Sequence, residues 1–567
     1  MGRRGAGPAA TSPAGPSAAE EPRLEPAAAW DPKLGSPPKF RDVTERAGIS
    51  FQHENGVSGK YHYPEIMGAG VCLFDYDGDG YLDIYFVNGN RLVEPPSPEI
   101  RNRLYRNNGD GTFSDVTERA GVGDPSFGQG CCVGDYDRDG DPDLYLSNYG
   151  PNVLYRNAGD GTFTDVAREA GVRDLAWGQS SAFFDADGDG WLDLYLQNYL
   201  TFSLERTTEA FIYIGRQKFP DYPAPSNYPG SDDRLYRNNR DGTFTDVSQR
   251  SGIHKSEGKG MGCACFDMDD DGDIDLYVAN DGMENYLFWN RGDGTFEEAA
   301  LVAGVAFDGS GIPESSMGVD VGDFDRDGRL DMVNPCVRKQ SYTLYRNAGG
   351  RFEDVSFRTG LQQTTSSVTG FSPNFIDYDN DGDLDLFFST GGVRANELVP
   401  TDAPYEERYG LPDILLANDG TGHYADVSAW AGAHFRRRWI GRGTAAGDLD
   451  NDGRVDLVVS NLRGRAVVLR NETAGGHWIT LKLVPSGAHR SPIGSLVWIE
   501  AGGRRQVAAA HCGVTYLSQG DPRVHFGLGA AERVDRLEVE WPDRTREEFR
   551  DLAADRFYTI EEGRPPR

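Results

Sequence analysis

Seven short segments of this sequence place four aspartates within nine residues, and the simplest chemistry for that pattern is the binding of a hard cation. In the first segment, FDYDGDGYLDIYF, Asp75, Asp77 and Asp79 alternate, Gly80 permits a sharp turn and Asp83 closes the loop. Ca²⁺ takes about six to eight oxygen ligands from carboxylates, carbonyls and water, whereas Mg²⁺ retains its waters and requires octahedral geometry. The loop therefore predicts a calcium site, and such a site is structural because calcium enclosed by protein ligands and water does no chemistry by itself.

The pattern recurs at the same place in seven repeats, so about seven structural calcium sites are expected. A single Asp-Gly turn would be explained by hairpin chemistry alone, but seven complete loops are not. Position seven of the loop has no constant side chain, which predicts that this residue offers only its main-chain carbonyl. The predicted ligands are Asp75, Asp77, Asp79, Tyr81 and Asp83; Asp135, Asp137, Asp139, Asp141 and Asp143; Asp185, Asp187, Asp189, Trp191 and Asp193; Asp267, Asp269, Asp271, Asp273 and Asp275; Asp323, Asp325, Asp327, Arg329 and Asp331; Asp377, Asp379, Asp381, Asp383 and Asp385; and Asp448, Asp450, Asp452, Arg454 and Asp456.

The elements around each loop predict a β-propeller. A short Gly-marked strand precedes each acidic loop and an apolar strand follows it, and a second signature, LYRNNGDGTFSDV from Leu104, recurs as a hairpin closed by a glycine turn. Each repeat then supplies about four antiparallel strands, which is one propeller blade. The predicted fold is all-β: a seven-bladed propeller with calcium-binding loops, followed by a small C-terminal β-sandwich.

The two ends of the repeat array complement each other. The last repeat contains VVLRN at 467–471 without the usual following strand, whereas KFRDV, from Lys39, precedes the first acidic loop. A final blade completed by this N-terminal strand would leave no edge strand exposed. The predicted domains are a flexible Ala/Pro-rich tail over 1–38, the propeller over 39–473 and a β domain over 474–567.

Composition limits the classes of partner. The 567 residues carry a net charge of −32, which argues against nucleic acid and against an anionic membrane surface as partners. No run of 18 apolar residues predicts a membrane span. The N-terminus has no apolar core typical of a signal peptide, so the protein is either cytoplasmic or lacks its export signal here. A monomer is expected.

The seven cysteines do not indicate a complete disulfide framework, since their number is odd. Five of them, Cys72, Cys131, Cys132, Cys263 and Cys265, fall two to four residues before the first aspartate of a repeat. They are interpreted as small apolar residues in crowded strands, and the alternative is a thiol or metal cluster near a common axis.

The motifs resemble a known family. The nine-residue loops with LYRN and DGTFxDV are similar to the FG-GAP/VCBS repeats of integrin-type propellers, and GVTYLSQGDPRVHFGLGAAERVDRLEVEWPDR is similar to the ASPIC/UnbV domain. Together they resemble the CRTAC1-like (cartilage acidic protein) family from Lys39 onward. The resemblance implies an extracytoplasmic (secreted or periplasmic) calcium-binding protein, and the missing EGF-like module implies a bacterial-type member. UnbV itself is associated with enediyne biosynthesis gene clusters.

No catalytic motif of the G-x-S-x-G, H-E-x-x-H or P-loop type is found. His511 beside Cys512 is the most suggestive pair, but neighbours on a strand point to opposite faces. The stronger candidate surface is the aromatic insertion at 200–233, which either lines a rim or packs over the propeller. The candidate ligand-contact residues are Tyr213, Arg216, Tyr222, Tyr228 and His511.

Two classes of function remain open. One is a calcium-stabilised binding or adhesion module for a protein or glycan ligand. The other is an enzyme or accessory protein of enediyne-type biosynthesis, with its site over the propeller axis or at the insertion; no catalytic residue is assigned.

Overall fold

Each predicted repeat forms an antiparallel four-stranded sheet. The structure is a computed structural model that describes residues 29–214, 216–255, 257–396, 399–400, 402–486, 491–512 and 515–567. Among these residues, seven four-stranded sheets lie between positions 40 and 471. Their strands, with the one additional hairpin β12–β13, are β1 (Phe40–Asp42), β2 (Val71–Phe74), β3 (Asp83–Phe86), β4 (Arg103–Asn107), β5 (Phe113–Asp115), β6 (Phe127–Gly134), β7 (Asp143–Tyr149), β8 (Val153–Asn157), β9 (Phe163–Asp165), β10 (Gly178–Phe184), β11 (Asp193–Asn198), β12 (Ala210–Ile214), β13 (Gln217–Asp221), β14 (Arg234–Asn238), β15 (Phe244–Asp246), β16 (Gly260–Phe266), β17 (Asp275–Asn280), β18 (Tyr286–Asn290), β19 (Phe296–Glu298), β20 (Asp320–Gly322), β21 (Asp331–Asn334), β22 (Thr343–Asn347), β23 (Phe352–Asp354), β24 (Gly370–Ile376), β25 (Asp385–Thr390), β26 (Ile414–Asn418), β27 (Tyr424–Asp426), β28 (Gly441–Gly447), β29 (Asp456–Asn461) and β30 (Val467–Asn471).

The first repeat shows how the local sequence produces this sheet. Strand β2 enters the acidic loop and β3 leaves it, while β4 carries the LYRN motif and β5 the following Phe-x-Asp segment, in the order β2-β3-β4-β5. Strands β2 and β3 are buried along their whole length, whereas β5 buries only Phe113. The inner strands are apolar because neighbouring sheets cover both of their faces.

Short helices connect the sheets or cap the loops between them. Four of them follow the outer strand of a repeat and end at a glycine with positive φ, as at Gly121, because only glycine adopts that conformation without strain. The α-helices of the described residues are α1 (Thr117–Ala120), α2 (Ala167–Ala170), α3 (Ser248–Ser251), α4 (Ala300–Ala303), α5 (Leu361–Thr365) and α6 (Tyr405–Tyr409), and the 3-10 helices are Pro32–Leu34, Tyr63–Ile66, Leu204–Arg206, Pro225–Asn227 and His434–Arg436.

The inner strands of successive sheets lie side by side. Strand β2 contacts both β6 of the next sheet and β28 of the last. Glycines permit this crowding: a Cβ added at Gly262 would lie 2.6 Å from the carbonyl oxygen of Met317. The Gly-marked strands of the sequence are therefore the strands nearest the axis.

The N-terminal strand completes the last sheet, as predicted. Strand β1 pairs antiparallel with β30, with Phe40 opposite Asn471 and Asp42 opposite Leu469. The predicted flexible tail lies largely outside the described residues. Where it is described, Trp30 packs edge-on against Trp430 and the Ser36 N–H donates to Asp379, so the segment that precedes β1 is packed.

The C-terminal region forms two further sheets around one apolar core. One sheet has the order β34-β31-β37 and the other β33-β32-β35-β36. Buried side chains such as Ile479, Ile499 and Trp541 belong to one cluster shared by the two sheets. The strands are β31 (His477–Val484), β32 (Leu496–Ala501), β33 (Arg504–Ala509), β34 (Val524–Gly529), β35 (Arg533–Glu540), β36 (Arg546–Ala553) and β37 (Arg556–Glu561).

A segment of this C-terminal region, 515–519, enters the space between the inner strands of the repeats. Gln519 forms an isolated bridge with Cys72, and the Leu517 carbonyl accepts the Cys131 N–H at 3.2 Å. Tyr516 packs edge-on against Phe371 and is fully buried. The C-terminal region thus contributes side chains to the centre of the repeat array, which the sequence did not predict.

The all-β class and the propeller-type repeat architecture are confirmed. The count of seven blades and the domain boundaries stay predictions, which the seven four-stranded sheets support. None of the described helices has the length and apolar character needed to cross a membrane.

The structure refines the interpretation of the cysteines. Cys72 and Cys131, on the neighbouring inner strands β2 and β6, form a disulfide that the sequence did not indicate. The other five cysteines are buried outside any disulfide of the described residues, which agrees with the packing interpretation.

Candidate metal centres

The carboxylates of each acidic loop are oriented by backbone N–H groups. In the first loop Asp75 accepts hydrogen bonds from the N–H groups of Asp79 at 2.9 Å and Gly80 at 3.0 Å. Asp83 is buried and accepts from the N–H groups of Tyr76 at 3.0 Å and Asn107 at 2.8 Å. These bonds hold the first and last aspartates against the turn, so they face inward before any ion is considered.

The same geometry returns in most of the other loops. The first aspartate accepts two backbone bonds from positions five and six at Asp135, Asp185, Asp323, Asp377 and Asp448. The fourth loop differs, because Asp267 is paired with Arg544 of the C-terminal region at 3.2 Å.

The carboxylates converge as the spacing predicted. In the first loop one oxygen each from Asp75, Asp77 and Asp83 lies within 4.8 Å of the others. In the fourth loop the converging set is Asp267, Asp269 and Asp271. Equivalent groups form at Asp135, Asp137 and Asp143, at Asp185, Asp187 and Asp193, and at Asp323, Asp325 and Asp331.

Several of these carboxylate oxygens are buried without a hydrogen-bond partner. They are Oδ1 of Asp137, Asp187 and Asp450, at position three of their loops, and Oδ1 of Asp267, at position one. An unpartnered buried carboxylate oxygen is strongly destabilising unless a cation or donor compensates it. The loops therefore fit a hard dication, which takes carboxylate oxygens as ligands.

The pKa values of the buried aspartates at position nine also indicate that the loops need a cation. Burial, opposed by backbone hydrogen bonds and reinforced by neighbouring carboxylates, raises the pKa of Asp83 to about 8 and that of Asp143 to about 9. Burial likewise raises the pKa of Asp275 to about 8. The position-nine carboxylates are thus disfavoured as free anions at neutral pH and need a positive partner to ionise.

The arginine of the LYRN motif is a site residue that the sequence reasoning missed. Arg106 reaches Asp77 at 2.5 Å and Asp79 at 2.6 Å in the first loop. Arg346 and Arg470 make the equivalent pairs in the fifth and seventh loops. The signal was present in the sequence, because the arginine recurs at a fixed place in the motif. The fourth and sixth repeats have Trp289 and Ala417 instead.

The aromatic insertion separates into a packed part and an exposed part. Tyr222 and Tyr228 are buried and pack against Tyr409 and Phe202, which is the packing alternative considered for the insertion. Tyr213 is 64 % exposed, and Arg216 is exposed beside it on the β12–β13 hairpin. Only these last two of the four candidates lie where a partner could reach them.

His511 and Cys512 lie in different surroundings, as expected for neighbours on an extended segment. His511 is partly buried and lines a cavity between the repeats and the C-terminal region, and burial lowers its pKa to about 4. The Cys512 thiol lies against the Val133 carbonyl and the Gln519 side chain. The pair does not form a base and nucleophile.

Two family models match the chain. The model described as FG-GAP-like repeat matches residues 75–146, 135–196, 224–278 and 267–333, and the model described as ASPIC and UnbV matches residues 485–567. The first five acidic loops fall inside the repeat matches, and the loops at 377–385 and 448–456 fall outside them.

Among curated proteins, the chain is similar to cartilage acidic protein 1. The human protein is 28 % identical over 320 residues, which is 53 % of this chain and 43 % of the human protein. The mouse protein is 28 % identical over 309 residues, covering 53 % of this chain and 44 % of its own length. The chain therefore matches less than half the length of these relatives.

Solved structures give only distant likenesses. The structure of YCF48 bound to D1 peptide aligns with 9 % identity and a TM-score of 0.39 over 79 % of this chain and 99 % of that chain. An Agrocybe aegerita lectin that recognises non-reducing terminal N-acetylglucosamine aligns with 16 % identity and a TM-score of 0.37, over 70 % and 87 % of the two chains.

Proposed function

The chain belongs to the proteins that join FG-GAP-like repeats to an ASPIC and UnbV domain, and we propose that it is a calcium-stabilised interaction protein that works outside the cytoplasm. Its repeats form a propeller, expected over 39–473 with seven blades, and the C-terminal domain, expected over 474–567, docks on it. The ions hold the blades in shape, and exposed loops hold a protein or glycan partner. The extracytoplasmic location is supported by similarity to cartilage acidic protein 1.

The proposal that the loops bind calcium is supported mainly by buried carboxylate oxygens that have no hydrogen-bond partner. Carboxylate oxygens at Asp137, Asp187, Asp267 and Asp450 are buried without a hydrogen-bond partner, each in a different acidic loop. Repulsion among such groups is relieved by a bound dication, which would be held in the first loop by Asp75, Asp77 and Asp83. Calcium supplies charge compensation and cross-linking there and no reaction chemistry.

The interaction part rests on the exposed end of the insertion. The hairpin β12–β13 presents Tyr213 and Arg216 to solvent, and the Lys218 ammonium lies 3.4 Å from the Phe211 ring centroid. Rigid aromatic side chains and arginine most often dominate binding energy at interfaces. The alternative of a reaction site over the axis is disfavoured, because Tyr516 and Leu517 are buried at that position.

Metal content tests the calcium proposal directly. The protein, purified in calcium and passed through metal-free gel filtration, should carry about seven calcium equivalents per chain by elemental analysis. Asp77→Ala should remove about one equivalent, because Asp77 belongs to the converging set of the first loop. Asp110→Ala is the matched control, since Asp110 is an exposed aspartate of the same repeat that caps the hairpin turn through Thr112. One equivalent or none in the unmodified protein would refute the proposal.

A capture experiment tests the partner surface. Tyr213→Ala with Arg216→Ala should abolish recovery of a partner from the native medium while leaving calcium content and melting temperature unchanged. Leu175→Ala offers a control at an equally exposed apolar side chain far from the hairpin in sequence. Unchanged capture by the double variant would direct attention away from the insertion.

A further inference from the structure

A cavity of about 180 Å³ lies between the inner strands of the fifth, sixth and seventh sheets and the C-terminal region. The repeats contribute Asp320, Asn374 and Ala446 to its walls, and the C-terminal region contributes Ala509 and His511. The cavity therefore exists only where the two parts of the chain meet. Of the residues that line it, Asp448 belongs to the predicted ligand set of the seventh acidic loop.

The residues that the fifth and sixth repeats contribute to this wall differ in type from those at the equivalent position of the other repeats. Asp320 and Asn374 each lie three residues before the first aspartate of their loop. The five other repeats have a cysteine or alanine at that position: Cys72, Cys132, Ala182, Ala264 and Ala445. Small apolar residues suit a crowded inner strand, so the polar side chains of the fifth and sixth repeats, two of the three that border the cavity, need another explanation.

Asp320 is a buried carboxyl group without a cationic partner among the described residues. It is 6 % exposed and accepts the Phe375 N–H at 2.6 Å. Among the described residues no lysine or arginine forms an ion pair with it, and burial raises its pKa to about 7. The guanidinium in the cavity wall, Arg523, is committed to Asp521 at 2.7 Å and to the Asp448 carbonyl at 3.0 Å.

The other polar groups of the wall add hydrogen-bond acceptors. Asn374 Oδ1 is buried without a hydrogen-bond partner. His511 stays neutral at pH 7, because burial lowers its pKa to about 4, and a neutral imidazole keeps one nitrogen as an acceptor. A ligand that donates several hydrogen bonds would therefore be satisfied here.

Apolar side chains cover part of the wall, and the volume of the cavity limits the size of the ligand. Val321, Phe375, Ala446 and Ala509 line the cavity beside the polar groups. An engineered cavity of about 150 Å³ holds benzene, so this one has room for roughly six to eight non-hydrogen atoms. The cavity combines the buried carboxyl group of Asp320, which a cationic ligand would ionise, with a compact apolar surface.

The segment that closes the cavity is held in a strained conformation. Thr515 has φ of 84°, which is rare for a β-branched residue. Its N–H donates to the Val319 carbonyl at 2.6 Å, and its hydroxyl lies 3.2 Å from the Thr444 carbonyl. Backbone strain of this kind is concentrated at ligand sites, where the surrounding contacts enforce it.

We propose that this cavity binds a small organic cation, an ammonium group on a compact hydrocarbon body. The N–H groups of the ammonium donate to Asp320 and to the acceptors beside it, while its hydrocarbon part faces Ala446 and Ala509. Asp448, the first aspartate of the seventh acidic loop, also lines the cavity, but the groups proposed to bind the ammonium, Asp320, Asn374 and His511, are not predicted calcium ligands. The site does not depend on the exposed hairpin.

Binding of two matched probes tests the proposal. Cyclohexylammonium and cyclohexanol have the same number of non-hydrogen atoms and differ in charge, so their affinities for the full chain in about 2 mM calcium isolate the contribution of Asp320. By calorimetry or ligand-observed NMR, the ammonium should bind at least about tenfold more tightly, as expected for charge-assisted hydrogen bonds. Equal affinities, or no binding of the ammonium, would overturn the proposal.

Variants locate the bound probe. Asp320→Asn keeps an acceptor for the Phe375 N–H and should weaken ammonium binding at least about tenfold without weakening that of cyclohexanol. Ala509→Leu should weaken both probes by filling the cavity, which gives a second test if the Asp320 variant folds poorly. Asp413→Asn is the control, a buried aspartate bonded to His434 outside the cavity, and should leave both affinities unchanged.

Calcium measurements distinguish this site from the loops. Raising calcium about tenfold should not displace the ammonium, and Asp320→Asn should retain the calcium content of the unmodified protein. Displacement by calcium, or ammonium affinity unaffected by both cavity variants, would show that the probe binds elsewhere and would overturn the proposal.

Discussion

The first and sixth acidic loops share one motif but lie in different surroundings. In the first loop Asp77 and Asp79 are exposed and are paired with Arg106. In the sixth loop Asp379 is 4 % exposed, and Ala417 stands where the arginine would be. Segments distant in sequence cover this loop: the Ser36 N–H donates to Asp379, and His525 lies 2.9 Å from Asn380.

Because the sixth loop is more buried than the first, the two loops differ in how their negative charge is compensated. Burial, together with the carboxylate of Asp381, raises the pKa of Asp379 to about 7. The positive groups near the sixth loop, Arg326 and Arg504, are directed to Asp383 at position seven. Water and arginine compensate much of the charge in the first loop, whereas the sixth loop depends more on a bound cation. Equal motifs therefore do not imply equal affinity or equal contributions to stability.

The largest expected effect is that of removing calcium from all loops. For sites with Kd near 10⁻⁴ M, about 1 mM calcium stabilises each by roughly 1.4 kcal/mol, and seven independent sites by about 10 kcal/mol. Chelation should lower the melting temperature in calorimetry by on the order of 20 °C, and added calcium should restore it. A melt that chelator leaves unchanged would show that the loops hold their shape without metal.

Substitution at position three compares the two loops directly. Asp379→Ala in the sixth loop should lower the free energy of unfolding by about 3 to 5 kcal/mol, because it removes one partner from a buried charged cluster. Asp77→Ala in the first loop should cost about 1 kcal/mol, because the remaining charges are solvated and paired with Arg106. Urea unfolding in saturating calcium measures both, and equal losses would refute the comparison.

The pH dependence of the calcium-free protein should be opposite to that of an ordinary surface carboxylate. A carboxyl group whose folded pKa is raised stabilises the fold below its unfolded pKa near 4, and this contribution is lost as pH rises through the folded value. With chelator, stability should therefore fall by at least about 2 kcal/mol between pH 5 and pH 8, given the pKa of about 8 at Asp83 and about 9 at Asp143.

The sixth loop should contribute more than the first to the pH dependence of stability in the calcium-free protein. Asp379→Asn should flatten the pH dependence of the chelated protein more than Asp77→Asn does. With calcium present the trend should reverse, since the ion binds the ionised form. Stability that rises with pH in chelator would contradict the raised pKa values.

The smallest expected effect concerns the arginine of the first loop. Arg106→Ala should lower the stability of the chelated protein by at most about 1 kcal/mol, because the ion pairs are partly exposed. It should also enlarge the stabilisation that calcium provides, and so make the first loop resemble the sixth. Arg103→Ala, which breaks a pair with Asp115 outside the loop, is the control and should leave the calcium effect unchanged.

The repeat, the converging aspartates and the all-β class could be predicted from the amino-acid sequence. These features are local: alternating strands, Asp-Gly turns and nine-residue loops occupy a few consecutive positions, where residue type sets backbone conformation. The pairing of β1 with β30 was also predictable, because each end of the repeat array lacks what the other supplies.

The folded arrangement of the chain established which distant residues meet. It placed Tyr516 and Leu517 among the inner strands, buried Tyr222 and Tyr228, and joined Cys72 to Cys131. It also covered the sixth loop and left a cavity beside Asp320. These contacts depend on how whole sheets pack around an axis and on where the C-terminal region docks, and a motif that specifies one hairpin carries no information about its neighbours across hundreds of residues.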